Sequence, residues 1–183
     1  RAVVHRLIDD WLEPRKLPAK LVLKLVAGLE ILALQVVQGR IEQITEPQLR
    51  RVFGRSSSSG ASEAIHAVES HLGLLVRRAD GKFDFALRSL AEHLAGRALL
   101  AQGDEAIVVA AKAPWGAEAV RHAVGLASID DDPSAPAVKH RASALLQAIL
   151  QGEEGDDIVF TNHHLRAVLA AVRAATDLPT IST

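Results

Sequence analysis

Gly73-Leu-Leu-Val-Arg-Arg-Ala-Asp80-Gly81-Lys-Phe83-Asp-Phe85-Ala-Leu87-Arg-Ser89-Leu90-Ala-Glu92 is the stretch whose reading decides the fold. Leu74 to Arg78 and Lys82 to Ala86 read as two short strands around Asp80-Gly81, a dipeptide that tolerates the positive φ angles of a tight hairpin. In Ser89-Leu-Ala-Glu92 the Ser hydroxyl would accept from the Glu backbone N–H while the carboxylate reaches back, a capping box that starts the next helix. Before the hairpin, Ile65, Val68 and Leu72 keep one apolar face at helical steps, and Gly73 stands where a helix C-cap needs a left-handed residue.

Working outward, Thr45-Glu46-Pro47-Gln48 offers a Thr N-cap, Gln three residues on and Pro in the first turn, predicting a helix to about Phe53. The order helix, helix, two-stranded wing, helix is that of a winged-helix module. Leu21 to Val37 is apolar, but it is only 17 residues long and carries Lys24 and Glu30, so it reads as a buried core helix rather than a membrane span. Downstream, Asp104 would cap a short apolar helix that Pro114 ends. Stripes at Val120, Val124 and Ala127, at Ala142, Leu145, Leu146 and Ile149, and at Leu165, Val168, Leu169 and Val172 behind Asn162 continue the helical pattern.

Charge divides the chain. Residues 1–54 carry a net charge of +3, residues 55–103 +1 and residues 104–183 -5. The expected fold is therefore mainly α in three parts: a helical domain over 1–54, a winged helix with a two-stranded β wing over 55–103, and an acidic C-terminal helical domain over 104–183. Ser56-Ser57-Ser58-Ser59-Gly60 reads as a flexible connector between the first two. Ser128 to Pro136, with Asp130 to Asp132, and Gly152 to Asp157 read as solvated acidic loops, with a divalent-ion loop as the alternative, against which stands the missing EF-hand spacing.

Composition excludes several function classes. The 183 residues contain no Cys, so there is no disulfide, thiolate metal site or cysteine nucleophile. Aromatics are 3%, too few for a base-stacking platform. The lack of Cys fits a reducing, cytoplasmic setting, and the absence of Met and Tyr with the opening on Arg1 suggests a piece of a longer protein. Among the eight histidines, His66 and His71 are five apart, which places them about 140° apart around a helix and prevents them from sharing one ion. His163 and His164 are adjacent and diverge for the same reason. No metal site and no catalytic residue is expected. Glu92 is accounted for by its capping role.

The stretch from Gly73 to Leu100 resembles the winged-helix signature of NACHT-type NTPases of the STAND class: a Gly-Leu-Leu strand, a turn, an aromatic strand and a Ser-led helix with a Glu. Upstream, Leu29-Glu-Ile-Leu-Ala33-Leu and Ile44-Thr45-Glu46-Pro-Gln-Leu49 are similar to the family's preceding helical domain. Downstream, Trp115-Gly-Ala-Glu-Ala-Val120-Arg-His-Ala-Val-Gly125-Leu126 is similar to the Trp-containing helix that opens its second helical region. The family-motif positions are Phe83, Phe85, Ser89, Glu92, Leu94 and Trp115. The histidine with which this family contacts a bound nucleoside diphosphate falls at Leu87, which can neither donate to a phosphate nor titrate.

The resemblance implies ATP or ADP with Mg in the parent protein, an ATPase or GTPase, but no cofactor in this chain: a Gly-x-x-x-x-Gly-Lys-Ser/Thr loop occurs nowhere in it. This chain is thus expected to be a non-catalytic regulatory arm in bacterial defence or signal transduction. Its expected partners are the parent's upstream nucleotide-binding domain, other proteins or further copies of itself, and not a membrane. The alternative is a helical protein-interaction scaffold without nucleotide coupling. A DNA-binding regulator ranks below both, because the helix that would enter a groove, Ala61 to Leu72, holds Glu63, His66, Glu69 and His71 and no Lys or Arg. Arg77, Arg78 and Lys82 on the wing offer only weak, sequence-independent contact with nucleic acid.

Overall fold

A helix rich in Leu and Val opens the described part of the chain because its long apolar residues recur every three to four positions, which suits packing on other helices. The computed structural model describes residues 19–54, 58–127 and 144–149. They are mainly helical, with one small antiparallel sheet. In chain order the elements are α1 (Ala19–Val37), α2 (Glu46–Phe53), α3 (Ser58–His66) running on into a π turn (Ala67–His71), β1 (Leu75–Arg77) and β2 (Phe83–Phe85). Then come α4 (Arg88–Gln102), α5 (Asp104–Lys112) and α6 (Gly116–Ala127), and residues 144–149 are again helical.

The expected apolar helix is α1, and it lies in the core: Leu25, Leu29 and Leu32 are fully buried or nearly so. Among the described residues, no helix is long and apolar enough to cross a membrane. At Thr45 the expected box forms around the Gln48 side chain, whose Oε1 accepts from the Thr45 backbone N–H at 2.7 Å and from its hydroxyl at 2.8 Å. Leu49 and Phe53 carry α2 into the core. The apolar face of Ile65, Val68 and Leu72 is buried, and Gly73 takes φ +60 to end the helix.

The hairpin pairs Leu75 with Phe85, Val76 with Asp84 and Arg77 with Phe83. Its turn closes between Arg78 and Lys82, the expected strand ends. The Gly81 N–H bonds to the Arg78 carbonyl at 3.0 Å, and the Arg78 N–H to the Lys82 carbonyl at 2.7 Å. Gly81 alone in the turn takes positive φ, +79. This is a four-residue turn with a left-handed fourth residue, a common hairpin solution. Ile44 adds a third, one-residue strand on the far side of Phe83, with N–H to O bonds in both directions at 2.9 and 2.7 Å. The backbone just before α2 is thereby fixed to β2.

Behind the hairpin, α4 crosses both α1 and α6. Gly96 makes the second crossing close: a Cβ built there would fall 2.7 Å from the Ala119 carbonyl oxygen and 2.7 Å from the His122 Cβ. Glu30 of α1 and Arg97 of α4 form an ion pair at 2.6 Å beside the first crossing. One continuous hydrophobic cluster joins α1, α2, the α3 face, Phe83, α4, α5, α6 and residues 145 and 149.

Four expectations are corrected. Ser58, Ser59 and Gly60, read as connector, form the first turn of α3, where small polar residues suit a helix start. Ser89 does not cap α4. The helix begins at Arg88 behind an extended Leu87 (φ -133, ψ 134), whose carbonyl accepts from the Leu90 and Ala91 N–H groups, so Ser89 already lies inside the first turn. The Glu92 carboxylate pairs instead with Arg88 at 2.9 Å. Asp104 is likewise the first helical residue of α5, with Gly103 at the cap. Residues 1–18, Ser56 and Ser57, the acidic loops, the stripe behind Asn162 and the His163-His164 pair lie outside the described residues.

Candidate functional site

On the hairpin and the helix before it, charged side chains from several elements meet at the surface. Phe83 is the pivot. It is fully buried at the centre of the small sheet, with Ile44 on one side and Arg77 on the other. The Arg77 guanidinium carbon lies 4.6 Å from the centre of the Phe83 ring, within cation–π range. The same guanidinium grips Glu69 of the π turn with two bonds, Nε to Oε1 at 2.8 Å and Nη2 to Oε2 at 3.1 Å. That bidentate bond holds the Glu69 carboxyl below its usual range and raises Arg77 above its own.

The other two hairpin cations are engaged in the same way. Arg78 Nε donates to Asp84 at 2.6 Å, and Lys82 Nζ lies 3.0 Å from Asp80. The Lys82 ammonium and backbone N–H, the latter 3.2 Å from Asp80 Oδ1, draw the Asp80 carboxyl below its usual range. Three cations thus face three carboxylates. On the neighbouring helices, Arg50 bonds to Glu46 and reaches Ser62 of α3 at 3.3 Å, while Glu63 and His66 are exposed on α3. A duplex or strand approaching this face would first have to break ion pairs, and it would meet Glu63.

The structure brings Phe83, Phe85, Arg77, Arg78 and Lys82 together on the hairpin and places Ser89, Glu92, Leu94 and Trp115 elsewhere. Phe85, across from Leu75, is only half-buried, so the deep aromatic is Phe83. Leu94 is buried in α4. Trp115 is half-buried against the core where the chain turns into α6. Leu87, which follows Phe83 and Phe85 at two-residue spacing, is 62% exposed. The two-residue period ends with β2, and beyond it the chain turns into α4, so the spacing no longer carries a side chain back to the same face.

Sequence reasoning missed two features. Glu69 and Arg77 are eight residues apart across a helix end and a strand, a separation that no periodic rule flags. His93 and His122 meet between α4 and α6, with ring centres 5.2 Å apart and planes at 86°. Each follows an ordinary helical pattern, and only the close crossing at Gly96 brings them together. Among the described residues, no group of three His, Asp or Glu side chains is arranged to hold a metal ion. No family model, curated protein or solved structure matches this chain.

Proposed function

We propose that this chain is the regulatory, non-catalytic arm of a nucleotide-switched NTPase of the STAND class with a NACHT-type core, in which a winged helix flanked by helices turns as a rigid body when the nucleotide next door changes. The proposed setting is bacterial defence or signal transduction. The observation that carries the winged-helix reading is the bridge from Ile44 to Phe83. With it, the element order becomes helix, short strand, two helices, hairpin, and the added strand lies against β2. The paired charges of the wing favour a mechanical role over nucleic-acid reading, because a surface whose cations already hold carboxylates gains little from phosphates. The continuous core from α1 to residue 149 is what a part that moves as one body needs.

A specific observation favours the second reading, a helical scaffold for a protein partner. Leu23 and Ile31 of α1 are 72% and 48% exposed and stand two turns apart on one side of the helix. The two readings separate when this chain is joined to the sequence encoded upstream of Arg1. Under the first, calorimetric titration with Mg-ADP gives binding in the joined protein and none in the present chain. Binding by the present chain, or silence in the joined protein, contradicts it.

A further inference from the structure

His93 and His122 close against each other where α4 crosses α6, a crossing that Gly96 makes close. His93 is 4% exposed, and it is the only buried side chain with a titratable group among the described residues. His122 sits opposite Gly96, its Cβ where any side chain on residue 96 would collide. The Nε2 of His122 lies 3.2 Å from Nη2 of Arg121. A guanidinium has donors only, so this Nε2 accepts, and the proton of the neutral ring is on Nδ1. Arg121 is itself held by Glu118, Nε to Oε2 at 2.6 Å.

Protonation at Nε2 would set a donor against a donor and two positive charges side by side. Burial above all, and then the Arg121 charge, hold the His122 imidazole down to about 4, while Glu118 pulls the other way. Across the crossing, α4 presents His93 rather than a carboxylate. Glu92 on α4 is paired with Arg88, and Arg97 with Glu30 of α1. On α5, Asp104, Glu105 and Lys112 are exposed, and residues 144–149 carry no charge.

We propose that the His93 and His122 pair is an acid-released latch on the α4 and α6 contact: charging His122 destroys its bond from Arg121, places a cation against a second imidazole, and frees α6 from α4. The sign follows from linkage. Because the folded chain keeps His122 neutral below the 6.5 of a free imidazole, the unfolded chain binds more protons between pH 6.5 and about 4. The contact is therefore fully stable above that window and weakens as the pH falls through it. The latch is independent of the nucleotide reading.

Two measurements on the full chain test it. In a Trp11→Phe background, Trp115 at the entry to α6 is the sole indole, and its emission reports whether α6 is docked. The wild-type emission should shift to the red with a midpoint close to pH 4, together with the titration of the His122 ring followed by carbon-13 NMR. His122→Gln keeps an acceptor for Arg121 but cannot titrate, and its emission should stay unmoved at pH 4.5. An unchanged acid transition in that variant, or a His122 ring that titrates near 6.5 with α6 still docked, overturns the proposal. If His122→Gln does not fold at pH 7, amide exchange on the unaltered chain decides: after correction for intrinsic rates, α6 should lose protection at pH 4.5 before α1 does, and retention of α6 protection overturns it.

Discussion

The hairpin and the α1, α4 and α6 helices are held by different means. Around the hairpin, one buried aromatic, Phe83, is surrounded by charged pairs at the surface. Between the helices, the contacts are mainly apolar and close, with the Glu30 and Arg97 pair beside them, down to a glycine where a methyl group would strike backbone. Exposed ion pairs contribute little to stability, whereas close packing contributes a great deal. The difference teaches that charge on the wing bears on what the surface binds, and that shape at the crossings bears on whether the chain holds together.

The largest expected effect falls where the two regions meet. Phe83→Ala removes the ring on which Ile44, Arg77 and the core converge, and should destabilise the chain by about 3–5 kcal/mol in urea melts. A loss below about 1 kcal/mol would mean that the hairpin is only loosely attached to the helices. Next is Gly96→Ala. Helix propensity alone would make it stabilising by roughly 1 kcal/mol. The clash with Ala119 and His122 should reverse the sign, with a net destabilisation of about 1–3 kcal/mol, since the neighbours include backbone that cannot swing aside. A stabilised variant would break the contrast between the regions.

The wing should respond in binding rather than in melting. Glu69→Gln, Asp80→Asn and Asp84→Asn together release Arg77, Arg78 and Lys82 without removing any of them. Retention on double-stranded DNA at low salt should rise on the order of tenfold, about 1.4 kcal/mol, and fall again with added salt. Equal retention by the parent chain and the variant would show that the ion pairs do not mask the cations. The smallest effect is expected at Ser89→Ala. With the serine inside the first turn of α4 and exposed, thermal melts should change by less than about 0.5 kcal/mol. A cap-sized loss of about 1 kcal/mol would restore Ser89 to the N-cap.

Local chemistry was legible in the sequence where a few neighbouring residues settle the outcome. Thr45 with Gln48, Asp80-Gly81, and the stripe of Ile65, Val68 and Leu72 each lie within one turn or one hairpin, and each forms the expected element. What could not be read depends on partners brought in from elsewhere. Ile44 looks like the end of a loop until Phe83 offers it a strand edge. Ser58 to Gly60 look like a linker until α3 begins among them. At Leu87 the sequence carries two periods at once, and only the backbone shows that the strand period has already ended. The histidine pair was hidden for the same reason: residues 93 and 122 are neighbours only because residue 96 has no side chain.

The central claim is that these helices and the hairpin move as one body under the control of a nucleotide bound next door. Amide hydrogen exchange on the protein extended upstream of Arg1, compared between its Mg-ADP and Mg-ATP states, tests it most directly. The account predicts unchanged protection inside α4, α6 and β2, with differences confined to outward positions such as Leu87. Identical exchange in the two states at every position, or loss of protection inside α4 and β2 in one of them, would contradict it.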